Sequence, residues 1–281
     1  MTVFTRSMQL IRDNDPGNKN RFLKVVDTCN AFSKETRLRY IFNGIQYETY
    51  SSHAEILKAW AAMNRFNVGE MGQVFMLTTD DKEPFFVLGP LDRDPYTDIA
   101  GIEFSFNVKK PLLTPGGYFS FFDCKEFFIA VINSYQAYAG FIHDADLEQL
   151  VSFGYVNRNI KLQVPEDEWK YIPVPDIVKA TPPLIAEKIS NVFPPHQFNR
   201  LEIPEAIYWF NYWNPYMVEH VGEEKIRTAP CEVVEKQKNG GYLIIVQKEN
   251  LDLRNAEHLK KLAAAYDHFD LYNLQQKNLF R

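Results

Sequence analysis

The stretch PEAIYWFNYWNPY, residues 204–216, decides the fold that we expect for this chain. Between Ile207 and Trp213, six of the seven residues are aromatic or aliphatic. Such a composition is typical of a strand that is buried on both faces. Asn214-Pro215 ends the strand, because the residue before a proline favours extended backbone and proline suits the first turn of a helix. The stretch therefore predicts a buried strand followed directly by a helix.

Turn and cap signals predict the elements that follow this strand. The helix is expected over 215–221, with Gly222 at its left-handed C-terminal cap. Asn239-Gly240 tolerates the positive φ angles of a hairpin turn, which predicts pairing between strands 231–236 and 242–247. Apolar residues at helical spacing predict a last helix over 255–269. The order strand, helix, hairpin, helix describes one compact α+β unit.

The same elements resemble a known family. The letters YWFNYW, the short helix ending at Gly222, the Gly-Gly hairpin and the segment NLDLRNAEHLKKLAAAY (250–266) are similar to the C-terminal part of bacterial toxin-immunity proteins. In particular, they resemble the immunity protein 52 type and related immunity proteins found beside type VI secretion effectors. The resemblance covers 204–269, with weaker support from 101–153, and it contains no catalytic signature. It implies a protein that binds a cognate toxin or effector, often a nuclease, and blocks it.

The rest of the chain predicts a strand-rich N-terminal part and a longer C-terminal part. We expect strands over 3–11, 21–27, 36–42, 45–50, 73–78 and 84–88, and one helix that begins at the capping box formed by Ser52 and Glu55. The proline- and aspartate-rich segment 89–95 is the expected connector. The predicted domains are therefore a strand-rich α+β part over 1–90 and an immunity-like α+β domain over 96–281.

Between the connector and the aromatic stretch, the pattern predicts four elements and a long irregular segment. The elements are a strand over 99–108, a helix that opens near Asp123, a strand over 138–143 and a short helix over 146–153. The many prolines of 165–204 allow one helix at most, within 182–192, and suggest either a connector or a partner-binding edge. The predicted fold class is α+β, with largely antiparallel sheets and helices packed on one face.

Composition favours a binding protein over a nucleic-acid-binding one. The 281 residues are 46% hydrophobic and 15% aromatic, and the formal net charge is −5. Binding to nucleic acid requires a basic surface that displaces counterions, so we expect no nucleic-acid partner. A mildly acidic surface suits a basic protein partner, although solubility alone also explains a charge of this size. Aromatic side chains dominate both cores and interfaces, so their abundance is compatible with either role.

Catalytic and metal-binding signatures are absent from the sequence pattern, so we predict no enzyme, cofactor or metal. The segment His143-Asp144-Ala145-Asp146 offers metal ligands but reads better as a loop or helix start. Cys231 with His220 or His258 is a formal nucleophile pair without local activation. The alternative function is an enzyme of unrecognised type, with a pocket between the two parts in which His143 or His196 meets two carboxylates.

The candidate partner-binding residues are two acidic clusters and a pair of tryptophans. Their members are Asp80, Asp81, Glu83, Asp92, Asp94, Trp209 and Trp213. The acidic clusters either face a basic toxin or are simply exposed turns. The tryptophans share one face of a strand and either pack in the core or, if that face is uncovered, bind the partner.

The first residues of the chain contain no basic segment followed by an apolar core, so we expect no secretory signal. No apolar run approaches the ~20 residues that a membrane span needs. We therefore expect a cytoplasmic protein that has no membrane partner.

Overall fold

The computed structural model describes residues 4–13, 18–33, 36–42, 46–63, 75–79, 86–91, 99–108, 121–190, 203–204, 206–249 and 251–279. The chain divides into two compact units, Met1–Gly140 and Phe141–Arg281. Each unit combines helices with antiparallel strand pairs, which confirms the predicted α+β class. The limits of the units differ from the predicted domain limits, 1–90 and 96–281. A division into independently folding domains stays a prediction.

The first unit contains six strands and three helices within the described residues. Their bounds are β1 Phe4–Asp13, α1 Asn18–Phe32, β2 Tyr40–Phe42, β3 Tyr47–Thr49, α2 His53–Met63, β4 Met76–Thr78, β5 Phe86–Leu91, β6 Ile99–Val108 and α3 Phe121–Tyr135. The strand order is β3-β2-β4-β5-β6-β1, and every neighbouring pair is antiparallel. The longest ladder joins β1 to β6 and runs from Phe4 opposite Val108 to Asp13 opposite Ile99.

Helix α1 lies where the sequence predicted a strand over 21–27, so that prediction is wrong. Its buried face consists of Phe22, Val25, Val26 and Cys29, each with 0% of its surface exposed. These residues are spaced i, i+3, i+4 and i+7, which is the stripe of an amphipathic helix. Burial also raises the pKa of the Cys29 thiol, as expected for a reduced core cysteine.

Helix α2 begins with one of the two hydrogen bonds that its capping box predicted. The Glu55 N–H donates to Ser52 Oγ at 3.4 Å. The Glu55 carboxylate accepts from the N–H of Ser51 at 2.8 Å, rather than from that of Ser52. These hydrogen bonds from Ser51 lower the pKa of Glu55. The helix is therefore confirmed, and its cap is shared between two serines.

The predicted connector over 89–95 begins inside the sheet. Gly89, Pro90 and Leu91 belong to β5 and lie opposite Glu103, Ile102 and Gly101 of β6. The pairing of β5 with β4 is described at Val87 and Leu88, so Pro90 lies beyond that ladder, and proline is tolerated where it replaces no ladder donor. Residues 92–95 lie outside the described residues.

The second unit, together with the first two residues of β7, contains four strands and seven α-helices within the described residues. Their bounds are β7 Ala139–Asp144, α4 Ala145–Gln163, α5 Asp176–Ala180, α6 Pro183–Ser190, β8 Phe210–Trp213, α7 Pro215–Val221, α8 Glu223–Arg227, β9 Val233–Lys236, β10 Tyr242–Ile245, α9 Ala256–Phe269 and α10 Leu271–Leu279. A 3-10 helix covers Glu166–Tyr171. The strand order is β7-β8-β10-β9.

The aromatic stretch and the hairpin form the centre of the second unit. All four residues of β8 and all four of β10 are buried, and β10 pairs antiparallel with both β8 and β9. The hairpin predicted through Asn239-Gly240 is therefore confirmed, and Gly240 has φ +88°. At Gly241 a side chain is excluded, because a Cβ atom would lie 2.6 Å from the carbonyl oxygen of Trp213.

The helices around this sheet agree with the sequence in part. Helix α7 has its predicted bounds, with Asn214 as its N-cap and Gly222 at φ +98° as its C-cap. Helix α9 begins after the N-cap Asn255 and ends at Phe269, as predicted. The sequence missed α8 and α10. It also ended α4 at 153, although the helix continues to Gln163. In the segment 165–190, predicted as irregular, α5 and the 3-10 helix accompany the expected α6.

Candidate functional site

A cleft of about 310 Å³ lies in the second unit, where α6 meets α9 and α10. Its lining residues are Leu184, Glu187, Lys188, Tyr266, Asp267, Asp270, Leu271 and Tyr272. They come from two segments, 184–188 and 266–272, and we call this feature the α6–α9–α10 cleft. Its volume is near the lower end of the ~300–1,000 Å³ range of ligand pockets in proteins.

Helix α6 supplies one wall of the cleft because only one of its faces is packed. The helix starts at Pro183, and the carbonyl of Pro182 accepts the N–H groups of Ile185 and Ala186 at 2.9 and 3.0 Å. Ala186 and Ile189 are buried, whereas Leu184 keeps 80% of its surface exposed. The apolar residues of this short helix therefore point in two directions, and Leu184 lies on the open side.

The turn between α9 and α10 supplies a fixed carboxylate. Asp270 has the left-handed conformation, with φ 49°, and its N–H donates to the carbonyl of Tyr266 at 2.9 Å. The Asn273 side-chain amide approaches both carboxylate oxygens of Asp270, at 2.9 and 3.0 Å. Aspartate is one of the few residues other than glycine that tolerates this conformation. The turn thus holds a negative charge at the mouth of the cleft.

The inner side of the cleft is anchored to the chain just before β8. The N–H of Ile207 donates to Tyr266 Oη at 3.1 Å. Gln275, which is 0% exposed, donates from Nε2 to the carbonyl oxygen of Pro204 at 2.9 Å. Leu271 is 1% exposed and lies beneath the turn. These buried hydrogen bonds hold α9 and α10 against the segment that precedes β8.

The cleft lining is acidic. Glu187, Asp267 and Asp270 face one cationic residue, Lys188, which leaves a formal excess of two negative charges. Lys188 forms an ion pair with Asp267, and both side chains are partly exposed. Such solvated pairs contribute about 0–1 kcal/mol. Tyr272, 42% exposed, adds an apolar ring beside these charges. The arrangement therefore offers carboxylates next to uncovered apolar surface.

The predicted partner-binding residues fall into two groups, one outside the described residues and one inside them. Asp80, Asp81, Glu83, Asp92 and Asp94 lie outside the described residues, so their role stays a prediction.

Trp209 and Trp213, the other two candidates, are 0% and 2% exposed. Trp209 Nε1 donates to the carbonyl oxygen of Gln247 at 2.8 Å, and the ring of Trp213 meets that of Phe269 edge to face at 4.9 Å. This placement favours the core-packing alternative over a contact surface for both indoles.

The segment that offered metal ligands forms the end of β7 and the start of α4. His143 is 3% exposed, its ring lies 5.6 Å from that of Phe141 and 5.3 Å from that of Tyr208, and Nδ1 is 3.9 Å from the Glu148 carboxylate. Within the described ranges, no group of three or more histidine, cysteine or acidic residues is arranged to hold a metal ion. His196 lies outside those ranges.

Cys231 is not arranged as a nucleophile. Burial raises the pKa of its thiol to about 12, so the reactive thiolate is scarce at neutral pH. The ring of His220 bonds to the carbonyl of Tyr216 in its own helix at 2.9 Å. That of His258 accepts the N–H of Asp252 at 3.1 Å. The two histidines paired with Cys231 in the sequence therefore serve local structure.

The residues of the cleft were not singled out from the sequence. Leu184 lies in the one helix expected within the irregular segment, with nothing to mark its exposure, and Asp270 and Tyr272 lie beyond the end of the last predicted helix. One signal was present, because Asp270 separates two helical patterns and Asp is common at left-handed caps. The convergence of two segments about eighty residues apart has no local signal.

Comparison with known proteins assigns no family to the chain. No family model matches the chain, and no curated protein does. Among solved structures, the chain is similar to the Pseudomonas aeruginosa T6SS protein PA0821, with 12% identity and a TM-score of 0.45. The similarity covers 99% of this chain and 86% of that one. A likeness this distant carries no information about function.

In the part of the chain that the structure describes, none of the helices combines the length and the apolar character needed to cross a bilayer.

Proposed function

We propose that this protein is an immunity protein that binds a cognate bacterial toxin and neutralises it by occlusion, in the manner of type VI or other polymorphic-toxin immunity proteins. The observation that carries the proposal is the α6–α9–α10 cleft, in which Leu184 and Tyr272 are uncovered beside three carboxylates. Exposed apolar side chains rimmed by charged groups are typical of protein–protein interaction sites.

The element order behind the family resemblance gives a second line of support. Strand β8, helix α7, the β9–β10 hairpin and helix α9 occur in the order on which the resemblance rests, with the additional helix α8 between α7 and the hairpin. The order of elements is a property of the fold, and a fold hosts many functions. The cleft is therefore the more informative of the two observations.

On this proposal, the protein acts in the cytoplasm by forming a stoichiometric complex and performs no turnover. The alternative, an enzyme that uses His143 with two carboxylates, gains no support from the placement of that ring. His143 is 3% exposed and its ring lies beside the stacked rings of Phe141 and Tyr208, whereas a general base must reach its substrate.

The proposal is tested by co-expression with the product of the neighbouring gene. That product should arrest growth when expressed alone, and the full chain should restore growth and purify with it as a complex. A chain in which Trp213→Ala unfolds the second unit serves as the control that should fail to protect. If the neighbouring protein is toxic and the wild-type chain neither binds it nor protects, the proposal is overturned.

A further inference from the structure

We infer that the α6–α9–α10 cleft receives a basic segment of a partner protein, one that presents Arg or Lys beside a bulky apolar side chain. This inference rests on the proposed function and deepens it, because it names the surface and the chemistry of the partner. It differs from the surfaces that the sequence suggested, which were the acidic clusters of the N-terminal part and the tryptophans of β8.

The charge of the lining selects a cationic occupant. Lys188 is already engaged by Asp267, so Glu187 and Asp270 are the carboxylates that an incoming cation meets. Asp270 accepts from Asn273, but each carboxylate oxygen has a second lone pair that can accept from a guanidinium. Because its backbone turn and Asn273 hold Asp270 in place, little side-chain freedom remains to be lost on binding.

The two exposed side chains of the cleft favour a partner that presents an apolar side chain next to that cation. Leu184 on α6 is 80% exposed and Tyr272 on α10 is 42% exposed. An aliphatic side chain inserted between them removes apolar surface from water on both partners. Tyrosine is also among the residues most often found as interface hot spots, and its ring can stack under a guanidinium.

The same features favour a foreign protein segment over other occupants. A small anionic ligand is repelled by the carboxylates, and a ligand confined to about 310 Å³ leaves most of Leu184 uncovered. A second copy of this chain is disfavoured because each copy carries a formal charge of −5, and like charges oppose association. A basic toxin has the complementary charge.

The chemistry of the occupant can be tested on the full chain with short labelled peptides. One peptide alternates arginine with leucine, a second alternates glutamate with leucine, and a third alternates arginine with serine. Fluorescence anisotropy should show binding of the arginine–leucine peptide and weak or no binding of the other two. Equal binding of the arginine and glutamate peptides would overturn the inference.

Substitutions in the cleft locate the binding. We expect Tyr272→Ala to lower the affinity for the arginine–leucine peptide by roughly tenfold. Asp270→Asn should lower it by about two- to fivefold. Leu184→Ser is a further cleft variant, and because Leu184 is exposed this substitution leaves the core packing unchanged. Matched controls are Tyr171→Ala, at another exposed tyrosine, and Glu219→Gln, at an exposed carboxylate of α7. Equal effects of cleft and control variants would contradict the assignment.

Complex formation with the toxin separates the inference from the proposed function. If the wild type protects and Leu184→Ser and Tyr272→Ala protect and bind equally well, the cleft inference fails and the immunity function stands. If the peptides bind through the cleft but the wild type neither binds the toxin nor protects, the proposed function fails and the cleft chemistry stands. Sedimentation that reveals a dimer of this chain, abolished by Tyr272→Ala, would assign the cleft to self-association and overturn the inference.

Discussion

At Gly241 a single Cβ atom decides whether the hairpin can lie against β8. A Cβ atom there would be 2.6 Å from the carbonyl oxygen of Trp213 and 2.8 Å from Tyr212 Oη. Since the backbone must shift to relieve these contacts, we expect Gly241→Ala to lower the free energy of unfolding by about 2–3 kcal/mol. Urea unfolding followed by tryptophan fluorescence measures the loss.

Gly240 provides the matched control for this substitution. It has φ +88°, but a Cβ atom there would lie 3.4 Å from Pro215 Cγ, at the edge of ordinary contact. Gly240→Ala should therefore cost only the backbone strain, about 1–2 kcal/mol. Equal losses for the two variants would show that the close approach at Gly241 does not limit stability.

Glu223 links α8 to the hairpin and should make stability depend on acid pH. Its carboxylate accepts from Lys236 Nζ at 2.7 Å and from Tyr242 Oη at 2.8 Å, and these bonds, that from Lys236 foremost, lower its pKa from the ordinary 4.5. A carboxyl group with a lowered pKa in the folded state stabilises the protein above the ordinary value. That contribution is lost as the pH falls through the lowered value.

The variant Glu223→Gln should therefore be less stable than the wild type at about pH 7, and the difference should shrink below about pH 4.5. Urea unfolding across this range measures it. In a Lys236→Met background the same substitution should have a smaller effect, because the main hydrogen-bond donor to Glu223 is gone. A difference that stays constant with pH would contradict the assigned cause.

At the scale of elements, helix α9 should depend on its N-terminal cap. Asn255 Oδ1 accepts the N–H of Glu257 at 3.0 Å, which satisfies one of the unpaired donors at the helix start. We expect Asn255→Ala to lower the free energy of unfolding by about 1 kcal/mol and Asn255→Ser to lower it by a few tenths. Chemical denaturation of the three proteins tests this. Serine and alanine variants of equal stability would show that the cap contributes nothing.

The elements that could be predicted are those whose ends carry local chemistry. Asn214-Pro215 and Gly222 fixed α7 in the prediction, and Asn239-Gly240 fixed the hairpin, because each of these residues restricts the backbone by itself. Helix α1 was missed for the opposite reason. Residues 21–27 are rich in Phe and Val, which are common in strands. Phe22, Val25 and Val26 nevertheless have the i, i+3, i+4 spacing of a helix, and Cys29 continues it.

The candidate site was beyond sequence reasoning for a different physical reason. Leu184 is an ordinary apolar residue of a helix, and only its exposure, 80%, makes it unusual. Exposure depends on which face of α6 packs against its neighbours. The packed face cannot be predicted from the residues of α6 alone. The tryptophans show the reverse case, since their hydrophobicity suggested a binding surface as readily as the core in which they lie.

At the scale of the whole molecule, the formal charge of −5 over 281 residues should govern association with a basic partner. Complementary charge raises the rate of encounter, and dissolved salt screens it. If the proposed function holds, the 32.8 kDa chain should form a one-to-one complex with the toxin, as measured by light scattering during size-exclusion chromatography.

The association rate of this complex should fall by roughly tenfold or more between about 50 and 500 mM salt, whereas the dissociation rate should change much less. Stopped-flow mixing separates the two rates. Asp270→Asn should reduce the salt dependence and Glu219→Gln should reduce it less, because only the first change removes a charge inside the cleft. An association rate that is indifferent to salt would mean that apolar contact alone guides the partner, and the acidic lining would then have no part in recognition.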